Sequence, residues 1–297
     1  MDSISNMILA GGLMLIMWGM GLSLVIDDFK RVARYPKAVV IGLVVQLILL
    51  PLVGFLLCWL FGVRPEIAVG LMILAACPGG PTSNLISHLS RADVALSVSL
   101  TAISSLITVF TIPLIVNYAL MTFMDRTEVI RLDFLETVLE ISLVVIVPVA
   151  LGMLMRRYYP ALSHRLAKPV RIASGLILML IILGVIIKEK EVLPAYFAEV
   201  GIIALTLNVL MMALGYLIGR GFRLSAPQSM SISIETGIQN GTLALAIAGG
   251  LLKSTAFAIA PAVYSVIMFF AGFVMIYLGM KSLPAPEPVL QEVKNRS

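Results

Sequence analysis

Charged residues are scarce in this sequence. Asp, Glu, Lys and Arg make up only 12% of its 297 residues, whereas soluble domains contain about 25%. Hydrophobic residues account for 60%, and the mean hydropathy is +1.05. This composition excludes a soluble domain. In a membrane protein, the net charge of +5 does not indicate nucleic-acid binding. The composition predicts an all-α integral membrane protein, because helices satisfy their own backbone hydrogen bonds in lipid.

Cysteine and histidine are also scarce, with two residues of each. Cys58 and Cys77 lie in separate apolar segments, so we predict no disulfide framework and no zinc site. His88 and His164 lie in or beside loops, and no span carries a Ser-His pair at membrane depth or paired aspartates. These absences argue against a membrane-embedded enzyme. We expect a protein that is not an enzyme and has no organic cofactor.

Apolar stretches long enough to cross a bilayer recur along the chain. A transmembrane helix needs about 20 predominantly apolar residues, and we identify nine candidates. They are 7–26, 38–61, 67–90, 94–118, 135–155, 169–187, 200–218, 226–252 and 255–280. Residues 1–282 are therefore predicted to form a single transmembrane domain of nine helices. The Pro-rich, polar segment 283–297 is predicted to be a disordered tail.

The loop charges orient the nine spans. Nine crossings place the two termini on opposite sides of the membrane. Of the 21 Lys and Arg residues, fifteen fall in the loops on the C-terminal side and six on the other side. Cytoplasmic loops collect Lys and Arg. The N-terminus is therefore predicted to lie outside and the C-terminus in the cytoplasm.

Two of the spans contain residues that interrupt a helix. Span 67–90 contains the run Cys77–Asn84, with two prolines and two glycines, and span 226–252 contains Glu235–Asn240 followed by Gly241. Such residues break helical hydrogen bonding, which is tolerated at membrane depth only in a protein interior or cavity. Both spans are predicted to be discontinuous helices. They are the middle members of two triplets, 38–118 and 200–280, that enter from opposite faces, the pattern of inverted repeats in secondary transporters.

Glu235 is the carboxylate that lies deepest in an apolar stretch. A charged side chain at a helix centre costs about 2.5 to 3.5 kcal/mol on insertion scales, so it marks a functional site, and its expected partner is a cation. Side-chain oxygens that suit a small hard cation surround the two breaks. They belong to Gln46, Ser83, Asn84, Ser97, Thr101, Glu235 and Gln239, with free backbone carbonyls around Thr236 and Ile238. The half-helix N-termini at the same crossing favour an anionic substrate.

Each of these polar residues also has a structural explanation. Small hydroxyl residues commonly line contacts between membrane helices, Gln46 can bond neighbouring helices, and Pro78 can simply kink a span. A proton-coupled carrier or exporter, in which Glu235 exchanges a proton, is an alternative to sodium coupling. A passive channel is a further alternative, although a single buried carboxylate and two broken helices favour an occluding carrier.

The two interrupted segments resemble the signature segments of the bile acid:sodium symporter family. The resemblance rests on Gly79–Asn84, Asp93–Ser97 with Thr101, and Glu235–Asn240, and it extends over nearly the whole chain. It implies a panel domain of helices 7–26, 135–155 and 169–187, and a core domain of helices 38–118 and 200–280. It also implies residence in a bacterial inner membrane and sodium as the coupling ion.

By motif position, the resemblance implies two sodium sites and a substrate site. The first sodium site would use Ser83, Asn84, Ser97, Thr101 and Glu235. The second would use Gln46, Glu235, Thr236, Ile238 and Gln239, the carbonyls serving at Thr236 and Ile238. The substrate would meet Pro81, Thr82, Asn240, Met268 and Phe269.

Two departures from the family pattern fall near the expected substrate cavity. Pro81 stands where threonine is common in bacterial members, and Met268 and Phe269 replace a polar His-Asn pair. These changes favour a smaller organic anion, such as a 2-oxo acid or a pantoate-like carboxylate, over a bile acid. We therefore predict a sodium-coupled symporter that imports a small organic anion by alternating access.

Overall fold

The computed structural model describes residues 3–34, 36–124, 132–188 and 193–284. Within them the chain is helical and contains no β-strand, only an isolated bridge between two residues. The helices are α1 Ser3–Gly21, α2 Ile26–Arg34, α3 Pro36–Phe61, α4 Pro65–Ala76, α5 Pro81–Leu89, α6 Val94–Phe123, α7 Phe134–Tyr158, α8 Pro160–Lys188, α9 Leu193–Gly221, α10 Ala226–Gly237, α11 Gly241–Leu251 and α12 Ala256–Ser282. The predicted disordered tail lies outside the described residues from position 285 onward.

Six of the described helices are long and apolar enough to cross a membrane. They are α3, α6, α7, α8, α9 and α12, and three shorter apolar helices lie within α1, α4 and α11. Large apolar side chains on these helices point outward, such as Trp59 at 69% exposure and Phe270 at 68%. A surface of this kind is solvated by lipid rather than by water. The chain is therefore an all-α integral membrane protein.

Proline sets where many of these helices begin. Pro36, Pro65, Pro81 and Pro160 each stand at the first position of a helix, where the missing N–H has no helical partner to lose. Helix α10 begins with a capping box instead. Ser225 Oγ accepts from the Gln228 backbone N–H at 3.3 Å, and the Gln228 side chain accepts from the Ser225 N–H at 3.2 Å.

Several helix boundaries differ from those that the sequence indicated, and two of the differences involve helices of the expected panel domain. The first span was expected to run over 7–26, but α1 ends at Gly21 and a turn leads into the amphipathic helix α2. Asp28 stabilises that turn by accepting a hydrogen bond from the Val25 N–H at 2.8 Å. The span expected at 169–187 begins nine residues earlier, at Pro160, so that Pro169 lies inside α8. Both prolines can start a helix, and the basic residues between them had suggested a loop.

Wide π-helical turns interrupt two of the long helices. One spans Val45–Leu49 in α3 and the other spans Ser142–Ile146 in α7. Each lies just before a proline, Pro51 or Pro148, which lacks the N–H that an α-helical turn would use. Such turns are frequent at functional sites, and the turn in α3 contains Gln46.

Helices α1, α7 and α8 pack on one another, and the remaining long helices pack around the two broken spans. Gly21 of α1 lies against Val149 and Gly152 of α7, and Gly152 in turn lies against Trp18. A Cβ atom at either glycine would overlap backbone atoms of the opposite helix. Small residues of this kind let membrane helices approach closely. In the second group, α4 packs against α6 and α12, and α9 against α10.

The two non-helical breaks lie against each other inside the second group. Helix α4 ends at Ala76 and α5 begins at Pro81, while α10 ends at Gly237 and α11 begins at Gly241. The two breaks exchange backbone hydrogen bonds in an antiparallel bridge. Gly80 N–H donates to the Ile238 carbonyl at 3.0 Å, and Asn240 N–H donates to the Pro78 carbonyl at 2.9 Å. Each break thus satisfies backbone groups that the other leaves without helical partners.

Candidate functional site

The side chain of Glu235 lies next to this crossing and is 1% exposed. Three hydroxyl groups donate to its carboxylate. Ser83 Oγ and Ser97 Oγ donate to Oε2 at 2.7 and 3.2 Å, and Thr101 Oγ1 donates to Oε1 at 2.6 Å. Among the described residues, no Lys or Arg forms an ion pair with Glu235. The carboxylate is therefore held by neutral groups, which compensate only part of the cost of removing its charge from water.

Acceptor oxygens outnumber donors around Glu235. Asn84 Oδ1 accepts from Ser97 Oγ at 2.9 Å and lies 3.4 Å from Thr101 Oγ1. The Gly80 carbonyl lies 2.8 Å from Ser83 Oγ. Each hydroxyl has one proton but lies within hydrogen-bond distance of at least two acceptors. A cluster with surplus oxygens and one negative charge is suited to bind a hard cation, which takes oxygen ligands.

The absence of a side chain at position 79 creates the room for this carboxylate. A Cβ atom on Gly79 would overlap the carboxyl group of Glu235. Gly79 is also one of the two residues of the antiparallel bridge. The bridge and the acidic side chain can therefore occupy adjoining space only because position 79 is glycine.

Gln46 and Gln239 form a second polar cluster at the crossing. Gln46 Nε2 donates to Gln239 Oε1 at 2.8 Å and to the Cys77 carbonyl at 3.2 Å. Gln239 Nε2 lies 2.8 Å from the Thr236 carbonyl and 3.3 Å from the Glu235 carbonyl. The two side chains are 2% and 1% exposed. Two amide oxygens and the end carbonyls of α10 thus converge in a buried space.

Some of the groups expected at the second sodium site lie together in the structure, whereas others face different partners. The side chains of Gln46 and Gln239 and the carbonyls of Glu235 and Thr236 lie together. The Ile238 carbonyl instead accepts the Gly80 N–H, and the Glu235 carboxylate faces the hydroxyl cluster. A carbonyl oxygen has two lone pairs, so the bond to Gly80 leaves Ile238 one further acceptor position.

A cavity of about 490 Å³ opens beside the crossing. Its walls include Asn84 and Gln239, so the cavity reaches one polar residue of each cluster. Ile16, Gly19 and Met20 of α1 form the facing wall, with Leu178 of α8. Pockets for small organic molecules have volumes of about 300 to 1,000 Å³ and combine apolar walls with a few polar groups.

All five residues expected to meet the substrate line this cavity. They are Pro81, Thr82, Asn240, Met268 and Phe269. Asn240 has a structural role as well, because its Oδ1 accepts the Leu243 N–H at 3.0 Å as the N-cap of α11. Its Nδ2 lies 3.9 Å from Met17 Sδ on α1. The donor side of this amide is therefore the part that remains available to a ligand.

Sequence reasoning missed two buried polar residues near the crossing, Asn208 of α9 and Tyr264 of α12. Both are fully buried, and both donate to the Gly237 carbonyl. Asn208 is an amide in an otherwise apolar stretch, the same signal that identified Gln46, so the sequence could have revealed it. Tyr264 carried no comparable signal, because tyrosine is common in membrane helices.

A sequence model described as the Sodium Bile acid symporter family matches residues 10–195. This chain belongs to that family. The match covers the break between α4 and α5 and the hydroxyl residues Ser83, Ser97 and Thr101. The members of this symporter family are transporters rather than enzymes.

Curated relatives are similar over a longer part of the chain than the segment that this family model matches. The human ileal sodium/bile acid cotransporter is 32% identical over 233 residues, which are 78% of this chain and 66% of that protein. An uncharacterized sodium-dependent transporter, YocS, of Bacillus subtilis (strain 168) is 30% identical over 238 residues, 79% of this chain and 71% of that protein. The probable chloroplastic sodium/metabolite cotransporter BASS2 of Oryza sativa subsp. japonica is 30% identical over 275 residues. That alignment covers 92% of this chain but 64% of the rice protein.

Proposed function

We propose that this chain is a sodium-coupled symporter that imports a small organic anion by alternating access. The observation that carries the proposal is a buried carboxylate at the crossing of two broken helices, where surplus oxygens surround it and no cationic side chain of the described residues pairs with it. The names of relatives as sodium-dependent transporters or cotransporters support the same choice of ion.

The first sodium ion binds among Ser83, Asn84, Ser97, Thr101 and Glu235. In the absence of the ion, the hydroxyl protons of this cluster point at the carboxylate. When sodium enters, the same hydroxyls rotate to present lone pairs, since a hydroxyl is both donor and acceptor. The ion neutralises Glu235 and ties α5, α6 and α10 together. Sodium thereby orders the end of the cavity that the substrate occupies.

The second sodium ion binds between Gln46 and Gln239, with the carbonyls of Glu235, Thr236 and Ile238. The amide pair that now bonds side chain to side chain at 2.8 Å would open to admit it. Both amides then turn their oxygens to the ion. Glu235 is shared by the two sites, the carboxylate serving the first and the backbone oxygen the second, so the two ions are coupled through one residue.

Replacing Gln239 with leucine is expected to remove the second site while leaving the first. Leucine fills similar space but has no oxygen to offer. The Hill coefficient for sodium should fall from about two to about one, because the coefficient is limited by the number of coupled sites. Uptake measured against sodium concentration in proteoliposomes tests this. Gln228→Leu, in the capping box of α10, is the matched control and should keep the cooperative curve; a cooperative curve in Gln239→Leu contradicts the assignment.

The positions of left-handed backbone residues support an inverted repeat. Within the described residues, positive φ angles occur at Gly62 (57°), Arg91 (56°), Arg223 (60°) and Lys253 (51°). Gly62 follows α3 and Arg223 follows α9, the first helices of the two proposed repeats. Arg91 and Lys253 each stand two residues after a broken span, at the ends of α5 and α11. The first two spans of each triplet thus end with a left-handed residue at corresponding places.

The division into nine crossings, a core and a panel follows from this repeat. The broken pairs α4–α5 and α10–α11 each make one crossing, and α1, α3, α6, α7, α8, α9 and α12 make the others. The panel is α1, α7 and α8, which pack on one another. Everything else in the membrane forms the core. The N-terminus is assigned to the outside and the C-terminus to the cytoplasm of a bacterial inner membrane by the loop charges and the family resemblance.

The position of the cavity along α1 supports an inward-facing state. Leu13, nearer the N-terminus, is fully buried and lies outside the cavity, and α1 packs against α11. The cavity-lining residues of this segment run from Ile16 to Ser23, in the C-terminal part of α1 and the turn that follows it. The route is thus closed on the side assigned to the exterior and open on the side assigned to the cytoplasm. Rocking the panel about the crossing would exchange the two.

Charge balance supports a substrate with one negative charge. Neither Lys nor Arg lines the described cavity, and the first turns of α5 and α11 direct Thr82 and Thr242 into it. Helix N-termini favour anions. Two sodium ions and the Glu235 carboxylate leave one positive charge, which a monoanion neutralises. A dianion would cross the apolar region with an unpaired charge, which is costly.

Exchanging sodium for choline at fixed pH tests the ion. We expect uptake of labelled small monocarboxylates into proteoliposomes to require inward-directed sodium. The binding step can be measured separately, because a substrate should raise the melting temperature of the purified protein only when sodium is present. Uptake that persists in choline and follows a pH gradient would instead identify a proton-coupled carrier with Glu235 as the proton site.

A further inference from the structure

Asn208 and Tyr264 hold a backbone carbonyl next to the proposed second sodium site. Asn208 Nδ2 donates to the Gly237 carbonyl at 2.8 Å, and the Tyr264 hydroxyl donates to the same oxygen at 3.0 Å. Asn208 Nδ2 also lies 3.1 Å from the Tyr264 hydroxyl. Both side chains are fully buried, one on α9 and one on α12. Two helices outside the broken span thus converge on one peptide group.

That peptide group ends α10, where the chain turns out of its helix. The last carbonyls of a helix have no helical donors, and in this span they go to different partners. The Glu235 and Thr236 carbonyls face the Gln239 amide, and the Ile238 carbonyl accepts from Gly80. Gly237 alone among these four is turned toward α9 and α12.

The direction of the Gly237 carbonyl limits the directions of its neighbours. A peptide unit is planar, so each carbonyl is related to the next by only the φ and ψ angles of the residue between them. Pinning the Gly237 oxygen on one side restricts the two flanking peptide groups. Their oxygens, on Thr236 and Ile238, are two of the three backbone ligands of the proposed site. The donor pair therefore acts on the ligands without touching the ion.

The buried side chain of Asn208 lowers the stability of the fold. Its Oδ1 is buried and has no hydrogen-bond partner among the described residues. A buried polar atom without a partner is destabilising, and the apolar neighbours of this position on α9 would suit leucine. If the Asn208 side chain served only to stabilise the fold, both its amide nitrogen and its amide oxygen would be expected to form hydrogen bonds. The one-sided bonding indicates that the donor end has been retained for the carbonyl it orients.

We propose that Asn208 and Tyr264 are positioning residues that set the sodium affinity of the second site through the Gly237 carbonyl. The inference rests on the proposed function, since it assumes that sodium binds there. It assigns a role in ion coupling to two side chains that contact neither the ion nor the substrate. It also explains why a tyrosine hydroxyl lies fully buried within α12.

The test replaces each donor and measures sodium affinity apart from folding. Asn208→Leu removes the amide with little change in size, and Tyr264→Phe removes only the hydroxyl. The sodium concentration for half-maximal uptake should rise about tenfold in Asn208→Leu and about threefold in Tyr264→Phe, where the Asn208 bond remains. The maximal rate and the substrate KM at saturating sodium should stay within about twofold. Stabilisation of the purified protein by sodium should shift to the same higher concentrations.

A matched control separates this effect from the loss of any buried hydroxyl. Thr108 is buried on α6, and within the part of the chain that the structure describes its hydroxyl bonds only to the Ser105 carbonyl of the same helix, at 3.3 Å. Thr108→Val should leave the sodium dependence unchanged. If Asn208→Leu fails to fold, the Tyr264→Phe variant still decides the outcome.

Failure of the proposed function and failure of this inference give different results. Wild-type uptake that needs no sodium overturns the proposed function itself. If wild-type uptake depends on sodium but both variants keep the wild-type sodium affinity, this inference alone is overturned. The same conclusion holds if the variants melt at a lower temperature without sodium and their sodium affinity is unchanged. In that case the pair would be a structural contact between α9, α10 and α12.

Discussion

Replacing Glu235 with glutamine is expected to abolish sodium-driven uptake. The carboxylate is the single formal charge in a cluster that is otherwise made of neutral oxygens. Glutamine keeps the size of the side chain but removes the charge and replaces one acceptor with a donor. Breaking a buried charge pair costs about 3 to 5 kcal/mol, which corresponds to more than a hundredfold in sodium affinity. Initial uptake rates in sodium gradients, and sodium-dependent thermal stabilisation, measure the two consequences independently.

The same variant should remain folded. Without sodium, Glu235 is a buried carboxylate with no cationic partner in the described chain, so neutralising it removes a desolvated charge. The melting temperature of Glu235→Gln without sodium should therefore equal or exceed that of the wild type. Glu136→Gln, at an exposed position on α7, is the matched control and should transport normally. Sodium-driven uptake that is unchanged in Glu235→Gln would refute the first sodium site.

Adding one methyl group at Gly79 is expected to be nearly as damaging. The Cβ atom of an alanine would occupy the space of the Glu235 carboxyl group, so either the acid or the bridge between the two breaks must move. Overpacking of this kind costs about 1 to 3 kcal/mol of stability. Displacing the carboxylate from its hydroxyl partners also removes the geometry of the proposed first sodium site. We expect Gly79→Ala to lose sodium-driven uptake and to melt at a lower temperature.

Two further variants test whether the clash is the cause. Gly201→Ala on α9 adds the same methyl group where no other atom lies within 4 Å, and it should transport normally with equal or greater stability. Combining Gly79→Ala with Glu235→Asp shortens the acid by one methylene and should restore part of the sodium-dependent stabilisation. Normal uptake by Gly79→Ala alone would show that the close approach at the crossing is not required.

The sequence identified the residues of the crossing better than it identified their bonding. Glycines and prolines in two apolar stretches indicated where helices would break, and the structure has non-helical backbone at both places. The oxygens around Glu235 were also found, because polar residues are rare enough in such stretches to stand out. The backbone bridge between Gly79 and Gln239 was not foreseen. It joins positions far apart in the chain, and no local pattern encodes a pairing of that kind.

Helix ends were predicted less well where local signals conflict. Pro160 and Pro169 are both good helix starts, and the packing of α8 against α1 decides between them. The turn after Gly21 depends on its close contact with Gly152, which lies on a helix much later in the sequence. The roles of Asn208 and Tyr264 depend likewise on two helices meeting at one carbonyl.

The sequence by itself determined the class of the protein, the places of its two breaks and the acid at its centre. Those properties follow from composition and from the local chemistry of proline, glycine and charge in an apolar chain, which act within a few residues. Only the tertiary structure decided which oxygens share the Glu235 carboxylate, which carbonyls are left to face the Gln46 and Gln239 cluster, and which side of α1 a cavity adjoins. These depend on helices packed from distant parts of the chain, and the spacing between side chains on different helices is set by that packing rather than by sequence separation.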